Sequence, residues 1–283
     1  MLRAGLYLGL LAGGLFAATP LDQAQRLYDH TDYQGSLQVL LAQSDRDSRT
    51  WALIGQSYFM ETDYKKATDA FEKAVAAEPG NSQYVHWLGR AWGRRAESAN
   101  PFMAPTYASR ARQYFERSVM LNPHNQEALN DLFDYCLQAP GFLGGGFQKA
   151  EAVADRIAQI NPAEGHYARA QLADKRKEFD EAEQQLRRAF ELAPRQVGRV
   201  IDLAKYVAKR GRYQESEAYF AQAEKMTPNN PRILYERAET YIRENRNIEE
   251  ARALLKKYIA ATDLTPDDPP RSEAAQLLRK AGA

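Results

Sequence analysis

Residues Trp51–Pro79 read WALIGQSYFMETDYKKATDAFEKAVAAEP. Trp51, Ile54, Gly55 and Tyr58 come first, followed by Ala67, Phe71, Ala74 and Pro79. Apolar residues three and four apart mark one face of a helix, and two such faces follow one another here. The second half of this phrase recurs along the chain. A small residue stands at Ala67, Ala111, Ala150, Ala182, Ser216 and Ala251, at spacings of 44, 39, 32, 34 and 35 residues. Four residues on come Phe71, Phe115, Ala154, Leu186, Phe220 and Leu255. Eight residues further stand Pro79, Pro123, Pro162, Pro194 and Pro228, with Asp263 at that place in the last copy. Small residues let paired helices approach closely. The larger residue one turn later fills the space toward the neighbouring helix. Proline stops the second helix, because it has no N–H to donate to the helical ladder.

First helices are legible as well. Val200, Leu203, Ala204 and Val207 form an i, i+3, i+4, i+7 stripe that Gly211 ends. Leu234, Ala238 and Tyr241 repeat the stripe in the last unit, and residues 20–47 form a degenerate first unit through Ala24, Leu27, Tyr33, Ser36 and Leu40. The pattern predicts an all-α chain of about seven helical hairpins. A period of this length with these residues resembles the tetratricopeptide repeat family, most clearly over 48–81 and 197–230 and well over 231–265. The resemblance implies a right-handed superhelical solenoid whose first helices line a concave groove that binds peptides or protein segments. It also implies a non-catalytic scaffold. The subtype that grips chaperone C-termini with lysine and asparagine is set aside, since Ala52 and Gln56 occupy those places.

The boundaries read as a leader over residues 1–19, a solenoid over 20–265 and a capping helix within 266–283. Met1-Leu2-Arg3 precedes an apolar run, AGLYLGLLAGGLFAA, at residues 4–18. This is the layout of an export signal, with an uncleaved anchor as the alternative. It predicts an exported, periplasmic or envelope-associated protein that meets a membrane only through that segment. The 38 basic and 37 acidic residues leave a net charge of +1, which gives no electrostatic footprint for nucleic acid. Cys136 is the single cysteine, so the fold depends on no internal disulfide, and its register makes it a core residue. At the other end, Ser272 is placed to cap a last helix carrying Ala274, Leu277 and Leu278.

Two insertions break the regularity. The first, between Trp92 and Ala111, adds residues that include Asn100-Pro101 and Ala104-Pro105. The residue before proline avoids helical geometry, so the stretch reads as a long turn bearing Phe102, Met103 and Tyr107, either tucked in or projecting as one lip of a site. The second, APGFLGGGFQKAEA at 139–152, has three consecutive glycines but no G-x-x-x-x-G-K-[ST], so it is read as a helix connection with Phe142 and Leu143 packed inward. Both insertions fall in adjacent units and are expected at the same end of the hairpins.

No catalytic constellation emerges. His30, His86, His124 and His166 are scattered, and neither H-E-x-x-H nor G-x-S-x-G occurs. No catalytic residue, metal ligand or cofactor is assigned. If the family geometry holds, the groove is lined by His86, Arg90 and Arg94, then Asn130, Asp134 and Gln138. Tyr167, Gln171 and Lys175 come next, followed by Lys205 and Lys209, and finally Tyr235, Glu239 and Arg243. Many of these stand four apart, as a stripe along one helix requires. Their cations suit an acidic segment of a protein partner. The alternative is a small molecule or glycan held in a pocket near the 92–111 and 139–150 insertions, stacked on Trp92, Tyr107 and Tyr167.

Overall fold

The structure is a computed structural model and describes residues 19–282. The apolar run at 4–18, on which the export expectation rests, lies outside the described residues. Among the described residues fifteen α-helices follow one another, and the first fourteen pack in sequence as seven hairpins. These are α1 (Pro20–Asp29) with α2 (Tyr33–Leu41), α3 (Ser48–Met60) with α4 (Tyr64–Ala77), and α5 (Ser82–Ser98) with α6 (Ala104–Leu121). Then come α7 (Gln126–Gln138) with α8 (Phe147–Ile160), α9 (Pro162–Lys175) with α10 (Phe179–Leu192), and α11 (Val197–Lys209) with α12 (Tyr213–Met226). The last pair is α13 (Pro231–Arg243) with α14 (Ile248–Ala260), and α15 (Arg271–Lys280) packs on both.

The repeated positions build the core. All six small residues from Ala67 to Ala251 are buried, and so are the six that follow them by four. The closeness this allows is visible at Gly55, where a Cβ would lie 2.7 Å from the Phe71 ring. Helix starts are fixed by side-chain oxygens that accept from orphan backbone N–H groups. Asp47 takes Thr50 N, Asp63 takes Lys66 N, Asn125 takes Ala128 N and Asn161 takes Glu164 N. Cys136 is buried in the apolar core with Phe133, Ala150 and Ala154, and burial raises its thiol pKa.

Six hairpin turns carry a residue in the left-handed region: Thr31, Thr62, Gly144, Lys177, Gly211 and Asn245. The two turns that carry insertions are longer. The first insertion is absorbed mostly as helix, so α5 and α6 reach 17 and 18 residues. Ala104 is helical despite preceding Pro105, because proline in the first turn removes an N–H that has no partner there anyway. The open turn is only 99–103, with Asn100 Oδ1 accepting from Phe102 N and Met103 N at 3.1 Å. Tyr107 packs against Trp92, ring centres 5.2 Å apart, while Phe102 is 90% exposed.

The second insertion forms a short 3-10 turn at Gly141–Leu143. It leans on α6, where Gly144 meets the Arg112 guanidinium, and a Cβ on Gly145 would strike the Ala139 carbonyl at 1.8 Å. Phe142 is not packed inward: it is 84% exposed, because the tight turn aims it away from the hairpin. Leu143 is half-buried, and its carbonyl accepts from Tyr135 Oη at 2.8 Å. At the C-terminus α15 starts at Arg271, and no side chain caps it, so Ser272 lies inside the helix rather than ahead of it.

Candidate functional site: a roofed cleft on the inner face

Side chains from α3 to α7, α13 and α15 meet in one cleft of about 690 Å³, with the first helices α3, α5 and α7 supplying much of its lining. Its base carries Arg90 and Arg94 from α5 and Asp131, Asp134 and Gln138 from α7. Phe59 and Tyr64 wall one side, and Tyr135, Pro140 and Leu143 wall the other. The far side is closed by residues 266–270, Glu273 and Arg232, which belong to the opposite end of the chain.

The cations of the cleft are held in place. The Arg90 guanidinium lies over Trp87 at 4.2 Å and over Phe59 at 5.2 Å, with Asp131 at 3.7 Å. Arg94 donates to Tyr64 Oη at 3.2 Å and to Glu97 at 2.8 Å, and lies 3.5 Å from Glu273. Asp134 differs from both. Burial, with the Asp131 and Glu164 carboxylates nearby, pushes its acid up to about 6.

A smaller recess of about 190 Å³ lies further along the groove. It gathers Tyr167, Gln171, Lys205, Lys209 and Arg243 with Asp174 and Asp202. Here too the cations are paired. Lys205 meets Glu236 and Glu239, Lys209 meets Asp174 at 2.6 Å, and Arg243 meets Glu239 at 2.8 Å. The Asp202 carboxylate and burial raise the Tyr167 phenol. Burial lifts Asp202 itself to about 6, although Arg199 and Lys205 oppose the shift.

Nine of the fourteen sequence-predicted residues therefore fall in two places: Arg90, Arg94, Asp134 and Gln138 in the cleft, and five in the recess. Two others are corrected. His86 is 1% exposed, with Nε2 2.7 Å from Asp131 and its ring 6.0 Å from Phe115, because α6 and α7 close over its side of α5. Tyr235 is buried against Tyr258 at 5.3 Å in a cluster that Ala274 of α15 completes. Asn130 bonds Glu164 on the next first helix at 3.3 Å, and Glu239 is spent on Lys205 and Arg243. Lys175, the last residue of α9, is exposed and outside both sites.

The pocket near the insertions is present, but its walls are not the expected ones. Trp92 is buried and locked between Tyr107, Arg95 and Arg110. Phe59, Tyr64 and Tyr135 face the cleft instead. Among the described residues, no group of three or more His, Cys, Asp or Glu side chains is arranged to hold a metal ion. Nor is any described helix long and apolar enough to cross a membrane.

Comparison with known proteins agrees with this architecture. Residues 201–269 match one tetratricopeptide repeat model, and residues 48–81 and 163–196 match another. The fold is similar to that of a tetratricopeptide repeat protein from Parabacteroides merdae, with a TM-score of 0.60 at 15% identity over 93% of this chain and 98% of that one. It is also similar to a thermophilic tetratricopeptide repeat protein of Thermus thermophilus, with a TM-score of 0.55 at 20% identity over 66% of this chain and 97% of that one. No curated protein matches this sequence. The chain is an all-α solenoid of paired helices, and more particularly a tetratricopeptide repeat protein. Proteins of this kind are generally non-catalytic scaffolds with protein partners.

Proposed function

We propose that this protein is a non-catalytic scaffold of the cell envelope that holds a segment of a partner protein in the cleft between α5 and α7. The observation that carries this reading is the cleft itself. It is an inner-face opening of about 690 Å³ with aromatic walls and fixed guanidinium groups. A segment entering it meets side chains that are already ordered, so little further entropy is lost on binding. The envelope location rests on the basic start and the apolar run at 4–18. A protein whose Gln138 is replaced by arginine, with unchanged helicity, is expected to lose its partner in a crosslinked pull-down. Retention of the same partner would remove the cleft from the account.

A second reading is supported by the same opening. Phe59, Tyr64 and Tyr135 offer ring faces or edges to a small molecule or glycan, and the volume suits one. This reading predicts that Gln138→Arg abolishes ligand-induced quenching of Trp87, which lies 5.4 Å from Phe59.

A further inference from the structure

The two ends of the solenoid meet across the cleft. Residues 264–273 leave α14 and reach the first hairpins. Arg271 Nη1 donates to Thr31 Oγ1 at 2.7 Å, across 240 residues of sequence. Glu273 reaches Arg94 at 3.5 Å, across 179. The segment is held very unequally at its two sides. On its own end Arg271 also donates to the Ala261 and Ile259 carbonyls, Tyr258 donates to the Pro269 carbonyl, and Leu264 and Ala274 are buried. Against the first hairpins a recess of about 230 Å³ stays open between Thr31, Tyr33, Met60 and residues 264–272. Among the described residues, the polar bonds joining the strap to the first three hairpins are Arg271–Thr31 beside this recess and Glu273–Arg94 in the cleft. Asp268 stiffens the strap by accepting from Thr265 N at 2.9 Å and Thr265 Oγ1 at 3.0 Å. The strap is thus anchored at both ends on α14 and α15 and touches the first hairpins through two side chains, so the closure opens between strap and first hairpins without unravelling the strap.

We propose that residues 264–273 form a gate over the cleft, and that the segment captured there carries a carboxylate that takes Arg94 from Glu273. The inference rests on the reading that the cleft holds a partner segment. Glu273 sits where such a carboxylate would sit, so the chain's own strap competes with the partner for the same guanidinium. When only a fraction of molecules is open, apparent affinity falls by that fraction, and a gate open about one-tenth of the time weakens capture about tenfold. The strap's sequence, LTPDDPPRSE, describes the partner class: proline-bearing and acidic.

The test uses the full chain and a fluorescein-labelled peptide of that sequence, followed by fluorescence anisotropy. Thr31→Gly removes the acceptor of Arg271 and suits the left-handed backbone at φ 60°. Glu273→Gln releases Arg94 by an independent route, so loss of folding in one variant, seen by circular dichroism, leaves the other. Each variant is expected to bind the peptide at least about tenfold more tightly than the unaltered chain. Adding Arg94→Ala, or using a peptide with glutamine for its glutamate, is expected to abolish binding. Equal binding by the unaltered chain and both variants overturns the gate. Binding that survives Arg94→Ala, or no binding by any folded form, overturns the proposed partner chemistry. A partner still captured in the cleft with unchanged affinity in Thr31→Gly would sink the gate and leave the scaffold reading standing.

Discussion

Replacing Asp134 with asparagine is predicted to stabilise the protein above neutral pH and to do little once the pH falls below 3.8, the carboxyl's unperturbed value. The carboxyl group is shifted from 3.8 to about 6 by burial and by Asp131 and Glu164. Folding thus favours the protonated form. The stability this group contributes is fully present below its unfolded pKa and is lost as pH rises through about 6. The shift is about two units, so the ionised form carries a cost of at most ~3 kcal/mol at pH 8. Asp134 keeps some contact with water, and about 1–2 kcal/mol is the expected gain once the charge is removed. For a chain of this size that corresponds to roughly 2–6 °C in melting temperature at pH 8. At pH 5 about half of the difference should remain, because the unfolded chain is still ionised there, and at pH 3, below the unperturbed value of 3.8, it should shrink to within about 1 °C; the comparison is therefore made at pH 8 and pH 3. Thermal scans of both proteins at the two pH values measure the effect. An equal gain at both pH values, or a loss at pH 8, would refute the electrostatic account of the cleft.

Other consequences can be checked separately. Lys177→Gly should raise stability by about 0.5–1 kcal/mol in thermal or denaturant unfolding, because Lys177 holds φ 65° and glycine tolerates that region, with part of the gain offset by glycine's unfolded-chain entropy. Phe71→Ala should cost about 3–5 kcal/mol and loosen the second hairpin in hydrogen exchange, since the ring is fully buried against Gly55. Cys136 should react with thiol reagents only on unfolding, because it is buried and its thiol pKa is raised; rapid labelling of the native chain would contradict its placement.

What the sequence discloses and what it withholds divide along a physical line. Contacts between neighbours in sequence are written into local spacing, so Ala67 with Phe71, and Ala182 with Leu186, identify the hairpins directly. The groove stripe is legible to the extent that a helix face can be read, and Arg90, Arg94, Asp134 and Gln138 do meet. The failures arise where a third element decides. His86 shares a face with Arg90, but α6 and α7 bury it; Tyr235 shares one with Glu239, but Tyr258 and α15 cover it. Proline rules mark Ala104 as non-helical, whereas the start of α6 absorbs Pro105 at no cost. The closure by Arg271 and Glu273 leaves no local signal, because it joins residues that only the accumulated curvature of seven hairpins brings together. The same closure supplies the cleft's last wall.

Site-specific photocrosslinking tests the central claim most directly. A photoreactive residue replaces Gln138, exposed within the cleft, or Met120, 77% exposed on α6 and outside it. The account predicts one partner crosslinked from position 138, lost when Arg94→Glu is added, and absent from position 120. Crosslinking of that partner from position 120 alone, or from 138 regardless of Arg94, would contradict capture in the cleft.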